Sequence, residues 1–333
     1  MKDIRLLVVG TGSIGKRHIK NAITLGINPR KIYAVDTQKK RLNEVKKLGL
    51  IKLFKNFDQA LKEEFDAAII CSPTFLHISQ SIKLAKKKKH ILIEKPLDAN
   101  LKNSKKLMNL TKKNKLTIMI AYIFRFSSAI KLIKKEILKK SIGKILYFRG
   151  EFSEYLPDWH PYEDYRSFYM ANKKHGGGSI LDQCHIMDLA HFLIGDFSSV
   201  LAVNCKISNL QISADDISEM IIKHKNGVIS SIHTDIFGRS HKKMLEIKGE
   251  RGNISWDFYN NEVRIYNSKT KKIKLFKKFS KNFNNFYIDE LSHFIKCCTN
   301  KKKPDITLKD GIHTMKLILA AEKSEKTGKE ERV

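Results

Sequence analysis

A glycine-rich turn directly after an apolar run constrains this chain more than any other feature. The run Ile4–Val9 is followed by G-x-G-x-x-G, with glycines at Gly10, Gly12 and Gly15, and Asp36 ends the next apolar run, 21 residues after Gly15. This spacing is typical of a dinucleotide-binding βαβ unit. The glycines permit the turn, the approach of a pyrophosphate to the helix N-terminus, and close helix–strand packing.

The Asp36 carboxylate favours NAD as the cofactor. It can accept hydrogen bonds from a ribose 2′-hydroxyl and repels a 2′-phosphate. Three neighbouring cations, Lys39, Lys40 and Arg41, keep NADP as the alternative. Further contacts are expected at the ends of two later strands, where open α/β sheets bind their ligands. The predicted cofactor-binding residues are Gly10, Gly12, Ser13, Ile14, Gly15, Asp36, Ser72, Pro73, Thr74, His77, Glu94 and Lys95.

The apolar runs divide the chain into two parts. Up to about residue 122 they alternate with amphipathic stretches, which predicts α/β structure with a doubly wound parallel sheet, a Rossmann domain at 1–122. In 123–333, strand-like runs joined by turn signals such as Lys225-Asn226-Gly227 predict a mostly antiparallel sheet. The charged tail Ser324–Val333 is predicted to be loosely held.

Composition excludes several classes of protein. No apolar run approaches the roughly 20 residues of a membrane span, and the first strand follows MKD without a signal peptide, which predicts a cytoplasmic protein without a membrane partner. The five cysteines are scattered, so we expect neither disulfides nor a metal site. The net charge of +30 comes from lysines spread along the whole chain, which indicates a solvated surface and no specific nucleic-acid partner.

A second glycine cluster, Gly176–Gly178, precedes the predicted helix Ile180–Leu193. Asp182, His185 and Asp188 recur at intervals of three and share one helix face. No apolar strand precedes this cluster, so we expect the glycines to let a helix start in tight contact with another backbone. His185 is a candidate for proton transfer near neutral pH, with Asp182 orienting it or binding a hydroxyl. A capped helix with a hydrogen-bonded core histidine is the alternative.

Other side chains suit a polar substrate. Lys95 ends a predicted strand and could stabilise alkoxide charge on a substrate oxygen. The stretch YLPDWHPYEDYRSFY combines flat rings with hydrogen-bonding groups, as carbohydrate binding requires, although a rigid surface loop with packing aromatics fits it equally. Candidate substrate-binding residues are Arg125, Trp159, His160, Tyr165 and Arg166.

The order of several motifs resembles the Gfo/Idh/MocA oxidoreductase family, the glucose-fructose oxidoreductase and inositol dehydrogenase group. The motifs are VVGTGSIGKRHIKNA, CSPTFLHISQSIKLA, HILIEKPL, YIFRF and GGGSILDQCHIMDLAHFLIG, and the resemblance covers nearly the whole chain. It implies a Rossmann domain, a second α/β domain with a large open sheet, and a homodimer or homotetramer formed through that sheet. It also implies that Lys95, Asp182 and His185 form the catalytic set.

One departure from the family pattern concerns the catalytic helix. Members similar to inositol dehydrogenase place three residues between the aspartate and the histidine, whereas here only Gln183 and Cys184 intervene. A subgroup associated with bacterial surface-polysaccharide gene clusters is similar in this spacing and in the stretch YLPDWHPYEDYRSFY. That resemblance implies a sugar or sugar-nucleotide substrate.

These features together predict an NAD-dependent dehydrogenase or reductase acting on a CH–OH group of a sugar, sugar nucleotide or polyol. One alternative is a glycosidase that oxidises its sugar transiently with tightly held NAD. The other is a non-enzymatic sensor that binds nucleotide and sugar, for which the charge of +30 is the only support.

Overall fold

A computed structural model describes residues 3–159, 161 and 163–333. The chain divides into two compact units, Met1–Ile123 with Asn284–Ile312, and Phe124–Phe283 with His313–Val333. This division differs from the sequence-based boundary by one residue at Ile123 and in the segment Asn284–Ile312, both of which belong to the first unit. The segment joins that unit because its first residue pairs with the first helix, where Asn284 Nδ2 donates to Asn21 Oδ1 at 2.9 Å.

The first unit is built on a six-stranded parallel sheet with the strand order β3-β2-β1-β4-β5-β6. Its inner strands are buried along almost their whole length. Successive residues point to opposite faces, so both faces of the sheet are covered. The order reverses between β1 and β4, which places a crevice at the carboxyl ends of these two strands. The elements are β1 (Leu6–Val9), α1 (Ser13–Thr24), β2 (Ile32–Val35), α2 (Lys39–Lys46), β3 (Lys52–Phe54), α3 (Phe57–Ala60), β4 (Ala67–Ile70), α4 (His77–Lys86), β5 (His90–Ile93), α5 (Ser104–Lys113) and β6 (Ile118–Ile120).

The second unit contains a nine-stranded sheet with the order β14-β13-β12-β11-β7-β10-β9-β8-β15. Every neighbouring pair is antiparallel except β7 and β10, so the predicted mostly antiparallel sheet is confirmed. The elements of the remaining chain are α6 (Ser128–Leu138), β7 (Ile145–Tyr155), α7 (Ser179–Asp182), α8 (His185–Ile194), β8 (Phe197–Cys205), β9 (Ile217–His224), β10 (Ile229–Asp235), β11 (Phe237–Gly249), β12 (Gly252–Asp257), β13 (Glu262–Asn267), β14 (Lys272–Lys278), α9 (Asn284–Asn300), α10 (Leu308–Thr327) and β15 (Glu331–Arg332).

The two faces of the nine-stranded sheet differ. Helices α7 and α8 cover one face, whereas alternate side chains on the other face are exposed. On β9, Ile222 is 0% exposed and its neighbour Ile221 is 50% exposed. We call this second surface the open face.

The prediction of a loosely held tail is wrong. Helix α10 extends to Thr327, and Glu331 and Arg332 then pair with β8 at the edge of the sheet. Ser324 is buried, and its hydroxyl accepts a hydrogen bond from the Ala202 backbone N–H at 3.0 Å. Glu325 accepts a hydrogen bond from the Asn204 backbone N–H at 2.8 Å, and the Glu331 side chain is only 15% exposed, so side chains of the tail also hold it on the sheet.

Within the described part of the chain, none of the helices combines the length and the apolar character that spanning a membrane requires.

Candidate active site

The three glycines of the first turn have different surroundings. Gly10 has φ +90°, and a Cβ there would lie 2.5 Å from the Cys71 carbonyl oxygen. A Cβ on Gly15 would lie 2.0 Å from the Gly10 carbonyl oxygen, so neither position admits a side chain. At Gly12 the nearest atom to such a Cβ is Arg41 Nη1, at 3.9 Å. The backbone at Gly12 is therefore open in front of the α1 N-terminus, as the approach of a pyrophosphate requires.

Asp36 lies at the carboxyl end of β2 and is held against the same turn. Its Oδ2 atom accepts hydrogen bonds from the Thr11 backbone N–H at 2.8 Å and the Thr11 hydroxyl at 3.0 Å. Its Oδ1 atom accepts one from the Gln38 backbone N–H at 2.9 Å. The Arg41 guanidinium lies 4.0 Å from Oδ2. A fixed carboxylate beside an open glycine turn fits the ribose and pyrophosphate of NAD.

The ends of β4 and β5 are joined by side chains that the sequence marks for cofactor binding. His77 Nε2 lies 2.8 Å from the Ser72 carbonyl oxygen, and His77 Nδ1 lies 2.9 Å from the Pro96 carbonyl oxygen. Glu94 lies 2.7 Å from His18 of α1 and also accepts from the Lys95 backbone N–H at 3.2 Å. These contacts hold both strand ends at the edge of the sheet where the glycine turn lies. Lys95 itself is half-buried, Thr74 is buried and Pro73 is exposed.

Sequence reasoning missed a buried carboxyl group in the first unit. Glu290 on α9 is 0% exposed, and neither of its carboxyl oxygens has a hydrogen-bond partner among the described residues. Burial, with a further contribution from Glu94, raises the pKa of Glu290 well above its usual range. Burial and these two carboxyls also raise the pKa of the Cys71 thiol. The available signal was a glutamate inside the helical pattern IDELSHF, whose neighbours Leu291 and Phe294 are apolar.

In the second unit, the glycine cluster lets α7 begin against other groups. A Cβ on Gly177 would lie 2.3 Å from the Met170 carbonyl oxygen, which is the close backbone contact that the sequence predicts. Gly178 has φ +121°, and a Cβ there would lie 2.2 Å from Asp215 Oδ1. Asp215 accepts from the Ile180 backbone N–H at 3.0 Å, and burial raises the pKa of Asp215 to about 6.

Asp182 and His185 flank a break in the helix. The sequence predicts one helix over Ile180–Leu193, but α7 ends at Asp182 and α8 begins at His185. Asp182 is 9% exposed and accepts a hydrogen bond from the Tyr169 hydroxyl at 3.2 Å. The His185 ring meets Phe124 edge to face, with ring centroids 4.9 Å apart. Phe124 also contacts the fully buried Trp256, at 5.8 Å between ring centroids.

Asp188, the third member of the predicted row, pairs with a candidate substrate residue. Arg125 Nε donates to Asp188 Oδ2 at 2.9 Å, and Arg125 Nη2 donates to Asp188 Oδ1 at 2.5 Å. The two side chains are 6% and 1% exposed. The pair is an internal bidentate ion pair, and the structure does not present this guanidinium at the surface for a substrate.

The aromatic segment packs on the protein itself. Trp159 and Tyr165 lie against a small apolar core formed by Leu156, Phe168, Met170, Leu210 and Ile236. Arg166 is exposed and lies 2.8 Å from Asp164 and 2.9 Å from Gln211. His160 lies outside the described residues. These contacts favour the packed-loop interpretation, and Arg166 is the member whose charged group lies at the surface.

One cluster contains atoms that metals bind. His191, Asp196 and His313 bring one ligand atom each to within 4.8 Å of one another. The two imidazole rings are stacked, with an angle of 15° between their planes and centroids 4.8 Å apart. A metal lies in the plane of each ring that binds it, so these nearly parallel rings cannot share one. Lys225 also lies 3.7 Å from the carboxylate of Asp196 and opposes a second cation there.

Comparison with known proteins agrees with this geometry. Residues 4–122 match the family described as an oxidoreductase family with an NAD-binding Rossmann fold, and residues 134–333 match the C-terminal alpha/beta domain of the same family. The chain is 27% identical to scyllo-inositol 2-dehydrogenase (NAD(+)) of Bacillus subtilis, over 98% of this chain and 95% of that protein.

Solved structures share the fold over the whole length. Levoglucosan dehydrogenase in complex with NADH and levoglucosan superposes with a TM-score of 0.88 at 21% identity, covering 99% of both chains. The WlbA dehydrogenase from Bordetella pertussis, in complex with NADH and UDP-GlcNAcA, gives a TM-score of 0.82 at 20% identity, covering 99% of this chain and 98% of that one. The glycine turn, the strand-end residues and the matches to both domains lead to one conclusion: the chain belongs to the Gfo/Idh/MocA oxidoreductase family.

Proposed function

We propose that this protein is an NAD-dependent dehydrogenase that oxidises a secondary hydroxyl of a cyclic polyol, sugar or sugar nucleotide. The observation that carries the proposal is the Asp36 carboxylate, which three donors hold beside an open glycine turn at the switch point of the sheet. The inositol and levoglucosan dehydrogenases to which the chain is similar support the substrate class.

The roles of the chain's own residues follow from their chemistry. The glycine turn and Asp36 would hold NAD, which supplies the hydride acceptor at C4 of its nicotinamide. His185 removes the hydroxyl proton, while the hydride leaves the same carbon and a ketone forms. Lys95 donates to the substrate oxygen and stabilises its developing negative charge. Asp182 orients His185 or binds a neighbouring hydroxyl. The family resemblance supports the joint action of Lys95 with Asp182 and His185.

Binding and turnover test this function. Isothermal titration with NAD and NADP is expected to show tighter binding of NAD. NADH formation is then followed with myo-inositol, scyllo-inositol, levoglucosan and UDP-GlcNAcA as a substrate panel. An ordinary dehydrogenase consumes free NAD in proportion to product. Absence of binding for both nucleotides would refute the proposal.

Substitution of Asp36 is expected to weaken NAD binding. Loss of a charged acceptor costs about 1.5–3 kcal/mol, so Asp36→Ser should raise the NAD Kd by about 10- to 100-fold and reduce the preference over NADP. Asp36→Asn keeps an acceptor oxygen and removes the charge. Its NAD Kd should therefore lie between that of the parent and that of Asp36→Ser. Asp58→Ser removes an exposed carboxylate of the same unit, paired with Lys83 at 2.6 Å, and serves as the control. An unchanged NAD Kd in both Asp36 variants would exclude this role.

We further propose that the substrate is handled in surface-carbohydrate biosynthesis in the cytoplasm. The resemblance of the segment YLPDWHPYEDYRSFY to a polysaccharide-cluster subgroup supports this role, as does the shared fold with the WlbA dehydrogenase bound to UDP-GlcNAcA. Preference for UDP-GlcNAcA over free polyols in the substrate panel is the result expected.

We propose that the open face joins copies of this chain into a homodimer or homotetramer. Leu201 and Ile221 are cross-strand partners there and are 48% and 50% exposed, with Val203 beside them at 54%. Such contiguous apolar surface is typical of an interface between subunits. Ile221→Asp should therefore lower the mass measured by sedimentation equilibrium to that of a single chain. Ile51→Asp, at a position 63% exposed in the first unit, should leave the mass unchanged. A parent protein that sediments as a monomer would contradict the proposal.

A further inference from the structure

A buried polar cluster lies beside the break between α7 and α8. We call it the Glu154 cluster. Its members are Glu154 at the end of β7, Lys243 on β11, Tyr259 after β12 and Gln183 within the break. Lys243 Nζ lies 2.8 Å from Glu154 Oε2. The Tyr259 hydroxyl donates to Glu154 Oε1 at 2.7 Å, and Gln183 Nε2 donates to Glu154 Oε2 at 3.1 Å. One carboxylate therefore connects three separate segments.

The charges in this cluster are fixed by burial and pairing. The Glu154 and Lys243 side chains are 13% and 15% exposed, and Gln183 is 2% exposed. Burial acts to raise the pKa of Glu154, but Lys243, Tyr259 and Gln183 outweigh it and lower this pKa, so the carboxylate is charged at neutral pH. Burial and the neighbouring carboxylate raise the pKa of Tyr259, which therefore stays protonated and donates. Both Glu154 oxygens are thus used within the chain.

The cluster rests largely on the sheet. Lys243 is the cross-strand partner of Phe152 in the β7–β11 pair. Its ammonium lies 5.5 Å from the Phe152 ring centroid and 5.6 Å from the Phe258 ring centroid. Gln183 is the member that belongs to the helical segment. The connection from Glu154 to Gln183 therefore ties the helix break to strand β7.

The backbone hydrogen bonds at the break change from the four-residue spacing of an α-helix to a three-residue spacing. The side-chain connection to Glu154 supports the chain at this point. Gln183 N–H donates to the Ser179 carbonyl oxygen four residues back, at 3.0 Å. The Ile186 N–H instead donates to the Gln183 carbonyl oxygen three residues back, at 3.2 Å. A tightened turn of this kind has poorer hydrogen-bond geometry than an α-helix and resists distortion less.

We infer that the Glu154 cluster positions the catalytic pair: by holding Gln183, it fixes the break that separates Asp182 from His185. The inference rests on the proposed function and adds Glu154, Lys243, Tyr259 and Gln183 to it as positioning residues. With only two residues between Asp182 and His185, the break sets the orientation of the imidazole relative to the carboxylate. The hydrogen bond from Gln183 to Glu154 fixes a residue between the two and therefore acts directly on that orientation.

Kinetics of Gln183→Leu, Glu154→Gln and the double variant test this inference in the full chain. The substrate is the panel compound that the parent enzyme turns over fastest. Each single variant should lower kcat by about 10- to 100-fold, the effect of misplacing a reacting group, with KM within about twofold of the parent. If Glu154 acts through Gln183, the double variant should be no slower than the slower single variant.

Glu151→Gln is the matched control. Glu151 lies three residues before Glu154 on β7 and pairs with Lys242 at 3.0 Å, so the variant removes the same charge from an ion pair on the same strand whose lysine is 51% exposed. It should keep the parent kcat. Amide hydrogen exchange over residues 179–194 provides a readout without substrate: exchange should be faster in Gln183→Leu and Glu154→Gln and unchanged in Glu151→Gln.

Three results would overturn the inference. Multiplicative losses in the double variant would show that the two residues act independently. A raised KM at constant kcat would mean that the cluster contacts substrate. Parent-like kinetics or parent-like exchange in both single variants would show that the cluster does not hold the break in the orientation that catalysis needs. Failure of the inference is separable from failure of the proposed function, because His185→Asn would then be inactive while Gln183→Leu stays active. An active His185→Asn would instead refute the catalytic assignment itself.

Discussion

Replacing His185 with asparagine is expected to lower kcat/KM by about 10²–10⁴-fold, the usual contribution of a general acid–base group. Asparagine keeps much of the side-chain volume against Phe124, whose ring lies 4.9 Å from that of His185, but it cannot accept a proton near neutral pH. The NAD Kd, measured by isothermal titration, should not change, because His185 is not one of the proposed cofactor-binding residues.

The control for this variant is His191→Asn on the same helix. His191 Nε2 lies 3.1 Å from Asp196, and its ring stacks on His313. Neither partner belongs to the proposed catalytic set of Lys95, Asp182 and His185. Its replacement should leave turnover within about threefold of the parent, since no general acid–base step is lost. Parent-like turnover in His185→Asn would remove this residue from the catalytic set, and the role of proton acceptor would pass to another group.

Replacing Arg125 with methionine is expected to destabilise the protein by about 3–5 kcal/mol, the cost of leaving one charge of a buried pair without its partner. The Asp188 side chain is 1% exposed and would lose both of its hydrogen bonds from the guanidinium. Urea unfolding followed by circular dichroism, with each variant compared with the parent at constant m-value, measures the change.

A second substitution separates the charge effect from simple loss of packing. The double variant Arg125→Met with Asp188→Leu removes both charges and should recover most of the stability, because well-packed apolar residues often replace a buried pair at little cost. Its KM then shows whether Arg125 has the role in substrate binding that the sequence suggests. A loss below about 1 kcal/mol in Arg125→Met would show that the pair contributes little.

Local sequence signals predicted the parts of the fold that depend on local chemistry. The glycine turn after Ile4–Val9, with Asp36 at the next strand end, indicated the nucleotide-binding unit because its function requires those residues at that spacing. The turn signal Lys225-Asn226-Gly227 likewise indicated a connection between two strands, and it joins the antiparallel strands β9 and β10.

Features that depend on distant partners were not predictable. The helix through Asp182 and His185 looks continuous in sequence, because nothing in Gln183-Cys184 signals a break and the clamp on Gln183 comes from β7. In the sequence, Arg125 is a candidate for binding an acidic part of the substrate. Its partner Asp188 lies 63 positions away, so the sequence does not show that the guanidinium is already paired. The high content of charged residues in the tail predicts a loosely held segment. Its backbone pairing with β8 cannot be predicted, because it leaves no local signal in the sequence.

Trp256 gives this molecule an internal optical probe. It is one of two tryptophans in the chain, lies 1% exposed in the core of the second unit, and touches the same Phe124 ring that contacts His185. Replacing Trp159 with phenylalanine would leave it as the sole indole. Its fluorescence emission would then report on the interior next to the histidine, so changes in the protonation or packing of His185 could be followed in real time without a label.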